Sequence, residues 1–353
     1  MNSAPVNIRG RLTVSPRLLE LLQKGGLLFA LIVMVVSTEL LRPQFLHLSN
    51  IQAILLRIAV IGIVAIPGAM LLMAGYVDLS VGSVAMLSSV LFGQVYAHSH
   101  SIALSTAACL GAGLLAGAFN AELIARRGLS PVIVTLGGLA GYKGAAELLS
   151  HGQSVFGFGD AFDRLGSGSL FEIPIPGVIF IGLFALTGLY WYQSPLGRRV
   201  ISIGTDKPAA RAVGIATTGL PALLYVASGL SAALGGLVVT AQLDSASLSI
   251  GNGMELQVLT AVLLGGVSFE GGRGSFSGVM TGLLFLGVLY NGLVVLDVSP
   301  FWSDAFVGIA LALAAGLDVT YRKLTMKPAP EDDPGDVREA PEEPAAQVTW
   351  TTR

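Results

Sequence analysis

Apolar runs of near-spanning length follow one another through most of the chain. They lie at roughly Leu27 to Leu41, Ile51 to Met73, Val81 to Ala97, Ile102 to Ile124, Pro131 to Leu149, Ile173 to Tyr192, Leu220 to Ala241, Met254 to Val267, Ser275 to Val295 and Phe301 to Leu317. One water-soluble core cannot hide so many runs, whereas in a bilayer each becomes a helix, which satisfies its own backbone. The composition agrees: 53% of residues are hydrophobic and 12% charged, with a mean hydropathy of +0.74, outside the range of ordinary soluble domains. The pattern predicts an all-α polytopic membrane protein with about ten transmembrane helices. Residues 1–25 form an amino-terminal segment, 26–320 the transmembrane domain and 321–353 a tail.

Basic residues orient these spans. With the amino terminus in the cytoplasm and the spans alternating, the connections carrying Arg126 and Arg127, then Arg198, Arg199, Lys207 and Arg211, then Arg273, then Arg322 and Lys323 all fall inside. Only Arg42 and Arg164 fall in outside loops. Both termini are then cytoplasmic. The polar stretch Met1 to Lys24 ahead of the first apolar run resembles a signal peptide, but no small-residue cleavage site follows, and we read a retained first span. Met254 to Val267 is short for a span and reads equally as a re-entrant or broken helix. If it failed to cross, everything after it would invert.

The 45 glycines recur as small-residue faces, Gly111, Gly113 and Gly117, then Gly278, Gly282 and Gly287. Such faces let helix backbones approach, so many spans pack on one another rather than on lipid. The single cysteine, Cys109, sits in an apolar run and leaves no thiol pair for disulfide or metal. The outside loop from Ser150 to Glu172 is too short to fold as a domain. After Lys327 the chain turns acidic and proline-rich, the composition of a disordered cytoplasmic tail.

Ionisable groups at membrane depth are costly, which singles out Arg57, the Lys143 and Glu147 pair, and Glu255. Lys143 and Glu147 stand four apart and can pair on one helix face. Arg57 and Glu255 lie near the outer ends of their spans and can stay wet. In the turn Gly75 to Ser83, Asp78, Ser80 and Ser83 mark where one span gives way to the next. They cap the incoming helix or line a pathway or gate. Asn120, Thr135 and Asn291 bond across helices or line a polar path. No ladder of Asp, Glu or His suggests a proton relay, and no evenly spaced arginines suggest a voltage sensor. There is no G-x-x-x-x-G-K-[ST] and no catalytic or metal-binding motif, so nucleotide chemistry must come from another polypeptide.

Ser194 to Gly214 is a charged, glycine-punctuated island between two apolar runs. Thr205 can cap a helix of about two turns holding Asp206, Pro208 and Arg211, with Gly214 as its stop. A helix that short needs external support. It is either a docking helix or an ordinary solvated loop.

Several separated stretches together resemble the sugar-type permease family of bacterial binding-protein-dependent ABC importers, which includes the ribose, xylose and autoinducer-2 permeases. Val77-Asp-Leu-Ser-Val-Gly-Ser83 is similar to the family's G-G-I-D-L-S-V-G-S, with Tyr76 in place of the second glycine. Pro131-Val-Ile-Val-Thr-Leu-Gly137 resembles P-F-I-V-T-L-G, with Val132 for the aromatic residue, and Tyr142-Lys-Gly144 resembles Y-R-G. Gly197-Arg-Arg199, Ala209-Ala-Arg211 and Gly214-Ile215 are similar to G-R-R and A-A-R-x-x-G-I, with Asp206 where asparagine is usual. Gly253-Met-Glu-Leu256, Ala261 to Gly266, Gly271-Gly-Arg-Gly-Ser275 and Asn291-Gly-Leu293 complete the series. The related branched-chain amino acid permeases share the plan but lack the D-L-S-V-G-S turn, which favours a sugar-like solute.

The resemblance implies a non-enzymatic permease in the bacterial inner membrane. It implies a second permease chain (a homodimer or a heterodimer), a separate ABC ATPase subunit that binds the ATP, and a periplasmic solute-binding protein. Lipid surrounds it; no cofactor of its own and no nucleic acid are implied. Gly197, Arg198, Arg199, Ala209, Ala210, Arg211 and Gly214 would couple to the ATPase. Asp78, Ser80, Ser83, Asn120, Thr135, Glu255 and Asn291 would belong to the pathway or its gates. The rivals are a permease for branched-chain amino acids or nucleosides, and an ATP-independent channel or carrier.

Overall fold

A computed structural model of the chain describes residues 16–299, 302, 305, 306 and 308–316. In order come α1 (Pro16–Leu41), α2 (Leu48–Met73), α3 (Val81–Ser99), α4 (Ile102–Ala121) continued by a π-helical turn (Glu122–Arg126), and α5 (Pro131–Ser150). Then follow α6 (Asp160–Ser167), α7 (Ile175–Gln193), α8 (Leu196–Thr205), α9 (Lys207–Ala212), α10 (Gly219–Leu243), α11 (Met254–Leu264) and α12 (Phe276–Val295). Among the described residues six helices are long and apolar enough to cross a membrane: α2, α4 with its π turn, α5, α7, α10 and α12. The protein is a multi-pass helical membrane protein. Some of the expected spans take other forms. The apolar part of α1 is short, α3 is buried but rich in Ser and Gly, and α11 has 11 residues. Most of Phe301 to Leu317 is helical where described, over 308–316, while residues 1–15 and the tail 321–353 lie outside the described residues.

From Ile58 to Met73 α2 is apolar all round, the mark of a helix enclosed by others, and it and α10 form the centre of the bundle. Glycines set the closest approaches. Gly113 and Gly117 of α4 lie against the α10 backbone at Gly229 and Tyr225, and a Cβ on Gly229 would run into the Gly113 carbonyl. Gly278 and Gly282 of α12 meet Gly265 and Ala261 in the same way, and Gly287 meets Ile58. Gly111, by contrast, faces open space. We expect Gly229→Leu to cost at least about 3 kcal/mol, the upper part of the range for overpacking, because backbone must yield. Thermal unfolding of the detergent-solubilised protein measures this; an unchanged midpoint would mean that α4 and α10 can separate freely.

α3 and α11 start partway through the bundle. Ala85 of α3 lies against Gly236 of α10, while Ser89 bonds Thr240 at 2.7 Å. Asp78 bonds Ser228, about 14 Å above the start of α10 at 1.5 Å per residue. The extended segment from Val77 to Ser80 therefore climbs to an intermediate depth before α3 begins. α11 begins beside the same level, since a Cβ on Gly82 would meet the Gly251 carbonyl and the Glu255 carboxylate. The two helices run away from each other, α3 to one end and α11 to the other.

The short α11 nonetheless delivers the chain to the end that carries α8 and α9. There Gly272 N donates to Met73 O at 2.9 Å, and Gly75, Gly204 and Gly271 lie backbone to backbone. Gly271 and Gly272 have φ of +85° and +73°, a region open to glycine. At the opposite, far end, the Ser150 to Glu172 loop folds down as a cap. Strand β1 (Val155–Phe156) pairs antiparallel with β4 (Ser245–Ala246), and β2 (Ser169–Leu170) with β3 (Ile173–Pro174). This last pairing starts α7 at Ile175 rather than Ile173. Phe158 and Phe162 pack on Phe92 of α3, and Asp244 accepts from the amides of Gly157 and Phe158.

Candidate functional site

Where α3 begins, four elements bring polar side chains together. Asp78 accepts from the Ser80 amide at 3.0 Å and the Ser80 hydroxyl at 2.6 Å, and its second oxygen accepts from the Ser228 hydroxyl of α10 at 2.7 Å. Asn120 of α4 donates to Ser80 Oγ at 2.9 Å and accepts from the Tyr142 hydroxyl of α5 at 3.1 Å. Ser83 Oγ donates back to Ser80 O at 2.8 Å. Ser80, Asn120 and Ser228 are buried. Buried polar groups need partners, and this chain of bonds supplies them between four elements.

The capping expectation is corrected here. Ser80 occupies the N-cap position of α3, yet its side chain caps no amide; the carboxylate of Asp78 takes the Ser80 amide instead, and Ser80 Oγ is committed to Asp78 and Asn120. Of the pathway candidates, Asp78, Ser80, Ser83 and Asn120 converge. Thr135 is buried but bonds Pro131 O within its own helix, and Asn291 sits on α12 with its side-chain oxygen buried and unpaired among the described residues. Glu255 lies in the first turn of α11 beside Gly82. Tyr142 and Ser228 complete the cluster without having been singled out as pathway residues, since serine in an apolar helix carries no signal of its partner.

The island at Ser194 to Gly214 folds as a hairpin of two helices. Thr205 closes α8, its hydroxyl donating to Ile201 O at 2.9 Å. The cap of α9 is Asp206, whose carboxylate accepts from the Ala209 amide at 2.9 Å. Thr205 is still helical whereas Asp206 is extended, with φ −156° and ψ 101°, so the cap falls one residue later than expected. Gly214 ends the turn at φ +81°. Ala210 is 3% exposed and anchors α9 to the bundle, while Ala209 faces out, Val213 is 76% exposed and the exposed Arg211 donates through Nε to the buried Thr217 hydroxyl at 3.2 Å. Gly197 packs under Trp191, and Arg198 and Arg199 point outward from α8.

A line of contacts joins this hairpin to the polar cluster. Lys207 Nζ donates to the Tyr76 hydroxyl at 2.8 Å, and the Tyr76 ring meets the Tyr225 ring edge-on with centroids 6.2 Å apart. Tyr225 OH donates to Val77 O at 3.0 Å, next to Asp78. Lys143 and Glu147 form no ion pair with each other among the described residues; both are exposed on α5. No group of three or more His, Cys, Asp or Glu that could hold a metal occurs among the described residues.

Comparison with known proteins gives a consistent set of relatives. The family described as "Branched-chain amino acid transport system / permease component" matches residues 50–315. The ribose import permease protein RbsC of Bacillus subtilis (strain 168) is 33% identical over 84% of this chain and 93% of its own length. The L-arabinose ABC transporter permease protein AraH of Azospirillum brasilense is 31% identical over 86% and 89%. The fructose import permease protein FrcC of Rhizobium meliloti is 32% identical over 88% and 90%. No solved structure matches.

Proposed function

Because this chain belongs to the family of branched-chain amino acid transport system / permease components, a membrane transport component and not an enzyme, we propose that it is the translocating subunit of a bacterial ABC importer for a sugar or sugar-like solute. Relatives named for ribose, L-arabinose and fructose support the sugar over a branched-chain amino acid. In this reading the chain lies in the inner membrane with about ten crossings and both termini in the cytoplasm. A separate ATPase subunit binds the ATP, and a periplasmic binding protein delivers the solute at the far end.

The observation that carries the reading is the hairpin. A helix of six residues is too short to persist alone, yet α9 is held by Ala210 and Lys207 and turns Ala209, Arg211 and Val213 outward. That is the arrangement of a helix seated in a partner's groove. Closure of the ATPase pair would displace α9, and the Lys207, Tyr76 and Tyr225 contacts would carry the displacement to the start of α3, shifting the bundle between inward and outward openings. The Asp78 cluster is the hinge that both states share.

A second permease chain fits the face of α5 that carries Gly137, Gly141 and Gly144. Among the described residues nothing lies within 4 Å of a Cβ at these positions, and the exposed Glu147 and Lys143 continue this open side of the helix beside the glycine row. Only 11% of this span is buried. A charge facing lipid at mid-span costs about 2.5–3.5 kcal/mol, so this face needs a partner or a watery path.

The test is reconstitution. Proteoliposomes holding this chain, its partner ATPase and the cognate binding protein should accumulate labelled sugar only with ATP, and the purified chain alone should hydrolyse none. Uptake that proceeds without the ATPase would replace the importer with a channel or carrier.

A further inference from the structure

We infer that a cavity at the far end of the bundle, between α2, α10 and the start of α11, is a binding site for a neutral, monosaccharide-sized polyhydroxyl solute. Its volume is about 360 Å³, near the lower bound of the ~300–1,000 Å³ typical of small-molecule sites. The proposal rests on the importer reading and adds to it a place where the solute stops.

The lining supports this chemistry. Three carboxamides, Gln242 at the end of α10, Asn252 in the loop before α11 and Gln257 in α11, border the cavity together with Arg57 of α2. A carboxamide both donates and accepts, which matches a hydroxyl that does the same. Asn252 lies in the loop that leads into α11 and Gln257 follows one turn inside it, so both carboxamides reach the cavity from the same side. The Arg57 guanidinium lies 3.9 Å over the Tyr290 ring, which fixes it in place. Ile61, Ile250 and Met254 add apolar surface for the C–H faces of a sugar ring.

What the lining omits also decides the class. Among the described residues it contains a cation but no carboxylate. An α-amino acid would find a partner for its carboxylate and none for its ammonium group, whose burial unpaired is costly. A neutral polyol meets no such penalty.

A second hollow of about 290 Å³, bordered by Gln44, His47 and Asn50, shares Ala53 with the first. Asn50, Ala53, Arg57 and Ile61 follow at helical spacing, so one stripe of α2 runs from the far surface to the apolar floor.

Thiol protection tests the inference on the full chain in spheroplasts. Cys109 is buried and contributes no background. Asn252→Cys and Gln257→Cys should react with a membrane-impermeant, charged methanethiosulfonate added outside. D-ribose, L-arabinose or D-fructose at millimolar concentration should slow that reaction by the factor 1 + [L]/Kd, about threefold at twice Kd, while leucine should not. Ala53→Cys at the junction gives the same readout without deleting a polar group, should either variant fail to reach the membrane. No labelling from outside, labelling that none of the three sugars slows, or protection by leucine instead overturns the site. Ala209→Cys separates the two levels of argument. It should label only after permeabilisation; labelling in intact spheroplasts would refute the orientation behind the importer reading, whatever the cavity thiols do.

Discussion

Ala209→Glu should leave the protein in the membrane and abolish ATP-driven uptake. Ala209 faces outward from α9, so a glutamate there disturbs nothing within the chain. In the groove of an ATPase it would be a buried charge without a partner, which costs about 3 kcal/mol or more, roughly a 100-fold loss of affinity. The matched control is Ala210→Glu, which should fail earlier, by losing the folded hairpin, because Ala210 is 3% exposed. Membrane abundance, co-purification of the ATPase and uptake separate the two outcomes. Normal uptake by Ala209→Glu would remove α9 from the coupling contact.

The second large effect is expected at Asp78. Asp78→Leu deprives the Ser80 amide, the Ser80 hydroxyl and the Ser228 hydroxyl of their acceptor. An unsatisfied buried group costs about 1–3 kcal/mol, so together the loss should be at least roughly 3 kcal/mol, with uptake lost as the start of α3 comes adrift. Asp78→Asn keeps one acceptor oxygen and offers donors that a hydroxyl can accept, and should be much milder. Adding Ser228→Ala to Asp78→Leu should cost less than Ser228→Ala alone, because their shared bond is already gone. Wild-type stability and transport in Asp78→Leu would show that the cluster neither supports the fold nor takes part in the path.

Much of this organisation was legible in the order of residues. Apolar runs marked the membrane helices, and the glycine rows at Gly113 and Gly117 and at Gly278 and Gly282 do lie where helices touch, because only small residues permit that approach. The brevity of Met254 to Val267 foretold the shortened α11. Three things were hidden, each for a physical reason. The depth at which α3 starts depends on bonds from Asp78 to Ser228, 150 positions apart, and periodicity records only local order. Thr205 and Asp206 are adjacent residues of capping type, and the choice between them was made by α8 running on to Thr205. The far-end cap depends on an antiparallel pair between Val155–Phe156 and Ser245–Ala246, two-residue strands with no pattern to detect.

The lysine seated against Tyr76 sets the character of the connection between hairpin and bundle. Lys207 is exposed, but its hydrogen bond ends on the buried Tyr76 and is part-buried, and such contacts are screened less by salt than those in open water. Ionic strength will therefore loosen the grip of exposed Arg198 and Arg199 on any acidic neighbour well before it loosens this joint. If the hairpin is the docking element proposed above, it is a detachable handle on a fixed stem: raising salt should release the ATPase while leaving the Lys207–Tyr76 joint inside the permease intact.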